Sequence, residues 1–126
     1  MTQEEKQLLI KDLCARLPYK PRVRYYYSIG SDAINGYSDE GYLSYQKLED
    51  FSIYPKYGLE KTRVYNISPY LRSMDSMTEE ERKELAVITT FTVWTPKVYE
   101  WYLEHHFDIH ELIEKGFALE APKDMY

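Results

Sequence analysis

Apolar side chains recur at helical spacing near the N-terminus of the chain. Thr2 and Glu5 form the pattern of a capping box, in which a hydroxyl and a carboxylate each accept a hydrogen bond from the other's backbone N–H. A leucine then occupies every fourth position from Leu9 to Leu17, and Pro18 stops the pattern. We therefore expect a helix over residues 3–17 with one apolar stripe.

The C-terminal part repeats this arrangement of caps and apolar faces. Thr78 and Glu81 form a second capping box, and Pro96 stands where the first residue of a helix tolerates a missing N–H. Asp108 with Glu111 predicts a third box, and Gly116 suits the left-handed residue that follows a helix. The predicted helices cover residues 79–88, 96–106 and 109–115.

Period-two alternation marks the middle of the chain. Residues 22–29 alternate apolar or aromatic with polar side chains, which predicts a strand with one buried face. Residues 61–67 alternate in the same way, and residues 41–45 have the composition of a short strand. The predicted core consists of Leu9, Leu13, Leu17, Val23, Tyr25, Val98, Trp101, Leu112 and Ile113.

The order of these elements predicts the fold class. A helix, a strand-rich middle and further helices are typical of an α+β protein, with a small, mostly antiparallel sheet packed against an N-terminal helix and C-terminal helices. A length of 126 residues without a linker or repeat predicts a single domain, residues 1–126.

Tyrosine dominates the aromatic composition. The chain has 14 tyrosines against four phenylalanines and two tryptophans. Six aromatic residues lie in the segment from Tyr37 to Tyr57, which we interpret as a long polar loop. Further along the chain, we interpret Pro69–Arg72 as a turn. Rigid aromatic side chains are common at protein-binding surfaces, but the same rings can instead pack as a small structural cluster. The binding interpretation assigns the contact to Tyr42, Tyr45, Tyr54 and Tyr57.

The charge distribution offers an alternative site. Residues 15–30 carry four basic and no acidic side chains, whereas the whole chain has a net charge of −5. Arg22, Arg24 and Tyr26 share one face of the predicted strand, and cations beside aromatic rings can bind single-stranded nucleic acid. The acidic remainder of the chain opposes such binding, so the nucleic-acid hypothesis is the second choice.

Catalytic and metal-binding patterns are weak. His106 and His110 have the spacing of metal ligands on one helix, but the predicted break at Asp108 separates them, and we expect no zinc at His105, His106 and His110. Cys14 lies in the apolar stripe, which favours a buried structural thiol. No nucleophile elbow or phosphate-binding loop is present, so a small enzyme is the least favoured alternative, and we expect no cofactor.

Three blocks of sequence carry a resemblance. MTQEEKQLLIKDLCARLPY, PYLRSMDSMTEEER and HHFDIHELIEKGFALEAPKDMY together resemble a group of short uncharacterised proteins from gut Bacteroidales genomes and their phages or other mobile elements. The resemblance covers about half of the chain and leaves out residues 31–60. It implies a bacterial or phage setting and transfers no activity and no site residue.

The expected function follows mainly by exclusion. The sequence contains a single cysteine, no signal-peptide pattern and no apolar run long enough to span a bilayer, which predicts a cytoplasmic protein without a membrane partner. The tyrosine excess then favours a small protein-binding or regulatory module whose partner has basic character, because acidic side chains outnumber basic ones between residues 37 and 57.

Overall fold

The computed structural model describes residues 2–28, 37–53, 63–89 and 96–126. In these ranges the chain forms four α-helices and four β-strands. It divides into two units, Met1–Tyr70 and Leu71–Tyr126, and each is described by itself. The expectation of a single domain stays a prediction.

The first helix, α1, covers Gln3–Arg16 and confirms the predicted helix to within one residue. Its capping box is complete, because Glu5 N–H donates to the Thr2 hydroxyl at 3.1 Å and Thr2 N–H donates to the Glu5 carboxylate at 2.8 Å. A short 3₁₀ turn follows α1, and Lys20 then adopts a positive φ of 48°. The chain thereby turns from α1 into the sheet.

The sheet has the strand order β2-β1-β3-β4, and the pairings of β1 are antiparallel. Strand β1 covers Arg22–Ser28, which confirms the predicted strand as far as the described residues extend, and β2 covers Tyr37–Tyr42. Strand β3 covers Arg63–Leu71 and β4 covers Leu119–Glu120. The chain is thus an α+β protein with a mostly antiparallel sheet, an N-terminal helix and C-terminal helices, as the sequence predicts.

The interpretation of residues 37–57 as a loop is wrong over the described part. Residues 37–42 form strand β2, so the predicted strand at 41–45 is mostly misplaced, and helix α2 covers Tyr45–Ile53. Strand β2 shows no alternation of apolar and polar residues, because its central residues Ser38, Asp39 and Glu40 are all polar. Polar residues of this kind are expected in a strand at the edge of a sheet. Helix α2 begins after Ser44, whose hydroxyl accepts a hydrogen bond from Lys47 N–H at 3.3 Å.

The predicted turn at Pro69–Arg72 is also wrong, because β3 continues through Leu71. The residue before a proline favours extended backbone, and the φ of proline is compatible with a strand. Pro69 lies opposite Val23 of β1 in the antiparallel register. Tyr70 and Leu71 are both buried, which a surface turn would not achieve.

The first unit buries apolar side chains from α1, α2 and the sheet. Leu9, Leu13 and Val23 are fully buried as predicted, whereas Leu17 and Tyr25 are only half-buried. The prediction of a buried Cys14 is wrong: the thiol lies on the exposed side of α1. Asp12 and Arg16 are buried instead, as an ion pair one helical turn apart. Further buried residues that the prediction omits are Leu43, Leu48, Phe51 and Ile67.

In the second unit, helix α3 covers Glu79–Ile88 and matches the prediction. Helix α4 covers Pro96–Glu104, two residues shorter than predicted, because His106 adopts a positive φ of 62°. Val98, Trp101 and Leu112 are buried as predicted, whereas Ile113 is only half-buried.

The predicted helix at residues 109–115 is wrong, because this segment forms turns. The Asp108 carboxylate accepts hydrogen bonds from Leu112 N–H at 2.9 Å and Ile113 N–H at 3.0 Å, one and two residues beyond the partner of a capping box. Glu111 has a positive φ of 56°, which interrupts a helix. The predicted end is nevertheless present: Gly116 has a φ of 82°, and Phe117 N–H donates to the Leu112 carbonyl at 2.9 Å, as in a Schellman motif.

Candidate functional site

Two of the four tyrosines predicted to bind a partner are strongly exposed. Tyr42 at the end of β2 is 58% exposed, and Tyr45 at the start of α2 is 69% exposed. Tyr54 and Tyr57 lie outside the described residues. The structure therefore places one pair of large aromatic side chains at the surface, three residues apart where β2 passes into α2.

Local structure explains why these two rings point outward. Tyr42 lies opposite Arg22 of β1, and the guanidinium carbon of Arg22 lies 5.0 Å from the centre of the Tyr42 ring. This cation–π contact supports the ring without burying it. Tyr45 directly follows the N-terminal cap of α2, whose buried side is formed by Leu48 and Phe51. Tyr42 and Tyr45 thus lie at the surface, whereas Phe51 lies in the core.

An acidic stretch of β2 lies next to the tyrosine pair. Ser38, Asp39 and Glu40 are exposed, and the Glu40 carboxylate accepts hydrogen bonds from Arg24 at 3.1 Å and from the Tyr70 hydroxyl. The hydrogen bond from Tyr70, followed by that from Arg24, lowers the pKa of Glu40. The bond to Glu40 is also the main cause of the raised pKa of Tyr70. These contacts therefore favour the ionised form of Glu40.

The residues of the nucleic-acid hypothesis share one face of the sheet. Arg22, Arg24 and Tyr26 alternate along β1, as the sequence predicts for a strand. Arg22 contacts Tyr42, and Arg24 is engaged by Glu40 and Tyr70. Both cations thus have partners within this unit, and a phosphate would have to compete with a carboxylate for Arg24.

The backbone at the edge of the sheet belongs to the same surface. Leu43 N–H donates to the Pro21 carbonyl at 2.9 Å, so the backbone of Leu43 is directed towards the β1 side. Alternation along a strand then directs the backbone groups of Ser38, Glu40 and Tyr42 to the opposite, outer edge. A hollow of about 370 Å³ borders this strand, lined by Arg24, Tyr26, Ser38, Asp39 and Glu40.

Side chains of the protein already occupy two of these outer backbone groups. Glu40 N–H donates to the Asp39 carboxylate at 2.8 Å, and the Tyr42 carbonyl accepts a hydrogen bond from the Lys47 ammonium group at 3.1 Å. Lys47 also lies 4.9 Å from the centre of the Tyr25 ring. Both contacts are exposed, so another molecule can reach and replace them.

The second unit has a separate cluster of charged and aromatic side chains. Arg72 donates two hydrogen bonds to Glu81, at 2.7 and 2.6 Å, and its guanidinium carbon lies 4.3 Å from the Phe107 ring centre. Its bonds to Arg72 are the first cause of the low pKa of Glu81, about 2. Arg72 and Glu81 also border a cleft of about 540 Å³. The pair neutralises both charges, which indicates a structural role.

The three histidines of the weak metal pattern have separate surroundings. His105 lies beside two carboxylates of α3, 3.3 Å from Glu81 and 4.0 Å from Glu84. The His106 ring stacks on Tyr126 with centres 3.8 Å apart, and His110 lies in the turn after Asp108. Within the described ranges, no group of three or more His, Cys, Asp or Glu side chains is arranged to hold a metal ion.

Comparison with known proteins adds no family to this description. None of the protein families, curated proteins and solved structures compared with this chain matches it. Among the described residues, no helix combines the length and apolar character needed to cross a bilayer.

The sequence did not reveal the strand that lies beside the two exposed tyrosines. Asp39, Glu40 and Lys47 contribute to the surface through the edge of β2, and a polar strand carries no apolar alternation that would reveal it. The usable signal was at α2: Ser44 precedes apolar residues at positions 48 and 51, which is the pattern of a capped amphipathic helix.

Proposed function

We propose that this protein is a protein-binding module whose contact surface is formed by Tyr42, Tyr45 and the acidic strand β2. The observation that carries the proposal is the exposure of Tyr42 and Tyr45, at 58% and 69%, directly beside exposed Asp39 and Glu40. Tyrosine supplies a large apolar ring together with a hydroxyl, and buries both with little loss of rotamer freedom. The two rings serve as anchors in the centre of the contact.

The proposed occupant is a basic segment of another protein. Asp39 and Glu40 lie next to each other on β2, and the hydrogen bonds from Tyr70 and Arg24 lower the pKa of Glu40. Complementary charge attracts a cationic partner and rejects an anionic one. The net charge of −5 of the whole chain acts in the same direction. Regulation through this contact is the role we assign to the module.

A peptide selection tests this proposal without requiring the natural partner to be identified. A displayed library of random peptides is selected on the wild-type chain, and the affinity of the selected peptides for the Tyr42→Ala/Tyr45→Ala double variant is then measured. We expect selected peptides rich in Lys and Arg, and each single alanine variant should bind them about five- to thirtyfold more weakly, as expected for aromatic anchors. The melting temperature should change little, because both rings are exposed.

Tyr126→Ala is the matched control, since Tyr126 is 42% exposed and belongs to the other unit. It should leave the affinity for selected peptides unchanged. Peptides that bind the double variant as tightly as the wild type would contradict the proposal. Single-stranded oligonucleotides that displace the peptides, with binding lost in Arg22→Ala or Arg24→Ala, would instead favour the nucleic-acid hypothesis.

A further inference from the structure

We infer that the partner binds as an additional β-strand, pairing its backbone with the outer edge of β2. The inference rests on the proposed function and specifies how the same surface takes its partner. Among the described residues, β2 is the terminal strand in the order β2-β1-β3-β4, and the alternation anchored by Leu43 directs the backbone of Ser38, Glu40 and Tyr42 outward. An extended segment can form a ladder with such an edge.

Two side chains already bind the outer backbone groups of β2, and the need to replace them determines which partner strand can bind. The Asp39 carboxylate holds the Glu40 N–H, and the Lys47 ammonium group holds the Tyr42 carbonyl. An arriving strand must replace both contacts. A Lys or Arg side chain opposite Asp39 offers its carboxylate a new partner, and the Glu40 N–H then donates to a carbonyl of the arriving strand. A neutral or acidic strand has no cationic side chain that could replace the Glu40 N–H as the partner of the Asp39 carboxylate.

The spacing of the two acids specifies the sequence that fits. Neighbouring side chains of a strand point to opposite faces, so Asp39 and Glu40 lie on opposite faces of the sheet, and Glu40 is already paired with Arg24. The matching strand carries a basic residue for Asp39, and a second, adjacent basic residue shares Glu40 with Arg24. On the Glu40 side, the hollow lined by Arg24, Tyr26 and Ser38 leaves space for a long side chain.

The same charges argue against a second copy of this chain as the occupant. A two-fold antiparallel pairing through the outward backbone groups of two β2 strands places the central residue opposite itself. When the centre is Asp39 or Glu40, that acid lies opposite the same acid of the other copy. Like charges directly opposite one another destabilise a pair of strands, so both registers disfavour a second copy, whereas a basic segment meets no such repulsion from these acids.

The test uses a synthetic peptide of roughly eight residues, the length of an ordinary strand, with Lys-Arg at its centre and alternating Thr and Val around it. Binding to the full chain is followed by NMR. We expect shifts and slowed amide exchange at Ser38 and Glu40. A peptide with Glu-Asp at its centre is the charge control and should not bind.

Backbone methylation separates strand pairing from side-chain docking. Two versions of the peptide are N-methylated at alternate residues, one at the odd and one at the even positions. A paired strand presents only one of these sets to β2, so one version should lose about tenfold or more in affinity and the other should resemble the parent. Asp39→Asn keeps an oxygen for the Glu40 N–H and removes the charge, and should weaken binding about five- to tenfold.

Two outcomes would overturn strand addition. One is equal binding of both methylated peptides and the parent, and the other is failure of the parent peptide to shift Ser38 or Glu40. Neither result decides the proposed function, which depends on Tyr42 and Tyr45. If library-selected ligands still require the two tyrosines, the surface binds a partner by another geometry.

Discussion

Asp12 and Arg16 form an ion pair in which neither side chain is exposed to solvent, with Arg16 Nε donating to Asp12 Oδ2 at 2.7 Å. Both residues lie on α1, whose other buried residues are Leu9 and Leu13. Asp12→Ala should lower the free energy of unfolding by about 3–5 kcal/mol, because it leaves a buried guanidinium without its carboxylate. The double variant Asp12→Leu/Arg16→Met should cost far less, since it removes both charges.

Urea denaturation of the three proteins measures these differences, with exposed Glu4→Ala on the same helix as the control. A loss of less than about 1 kcal/mol in Asp12→Ala would show that the pair is accessible to water in solution.

Glu81 makes stability depend on pH in the acidic range. Its pKa is about 2 in the folded chain against an ordinary value of 4.5, so the unfolded chain binds the proton more tightly. The stabilisation is therefore fully present above about pH 4.5 and disappears as the pH falls towards 2. The shift corresponds to about 3 kcal/mol, which screening at this partly accessible site reduces to about 1–2 kcal/mol.

Chemical denaturation of Glu81→Gln and wild type between pH 7 and pH 2 checks this. The variant should be less stable at pH 7, and the difference should shrink below pH 4.5. Glu80→Gln, at an exposed neighbouring position of α3, should follow the wild type. A difference that stays constant with pH would point to lost packing, not to the ionised carboxylate.

Trp101 anchors α4 through both its ring and its N–H group. The residue is 5% exposed, its ring stacks on Phe107 at 5.8 Å between centres, and its Nε1 donates to Glu84 at 3.0 Å. Trp101→Ala should reduce the free energy of unfolding by about 3–5 kcal/mol, because it leaves a large cavity. A loss below about 1 kcal/mol would show that the ring contributes little packing.

A conservative change separates the two contributions of Trp101. Trp101→Phe keeps an aromatic ring and removes the hydrogen bond to Glu84, whose side chain is largely exposed. It should cost clearly less than the alanine variant. Thermal unfolding of both variants beside wild type makes the comparison.

Gly116 ends the turn that follows Asp108 and has a φ of 82°. A Cβ at this position meets no atom within 4 Å, so the cost of Gly116→Ala comes from the backbone alone. We expect a loss of about 1 kcal/mol, and a smaller loss for Gly116→Asn, because asparagine tolerates the left-handed region better. Equal stability of the alanine variant and the wild type would mean that the turn rearranges at little cost.

The elements that sequence alone determined were those with local signals. The capping boxes at Thr2 and Thr78 have their complete pairs of hydrogen bonds, and the helices begin at the expected residues. Alternation between residues 22 and 28 predicted β1, and Gly116 predicted the left-handed residue after Asp108. These signals act within a few residues, so they can be recognised in the sequence without knowledge of the distant residues that pack around them.

Other features depended on contacts between residues far apart in the sequence. Strand β2 is polar and exists as a strand because it pairs with β1. Helix α2 buries Phe51 and leaves Tyr45 exposed. Asp12 and Arg16 have the spacing of an ordinary surface pair, and only packing removed them from water. Asp108 and Glu111 match a capping box, yet the carboxylate receives the N–H groups of Leu112 and Ile113 and no helix forms.

For the candidate site too, the sequence predicted one part and the tertiary structure decided the rest. Tyrosine abundance and the nearby acids pointed to the segment containing Tyr42 and Tyr45, because composition is visible in one dimension. Strand order and register determine which rings are exposed, and they place Asp39 and Lys47 at the outer edge of β2. Register is a property of paired strands, and burial is a property of packed elements, so only the tertiary structure could decide them.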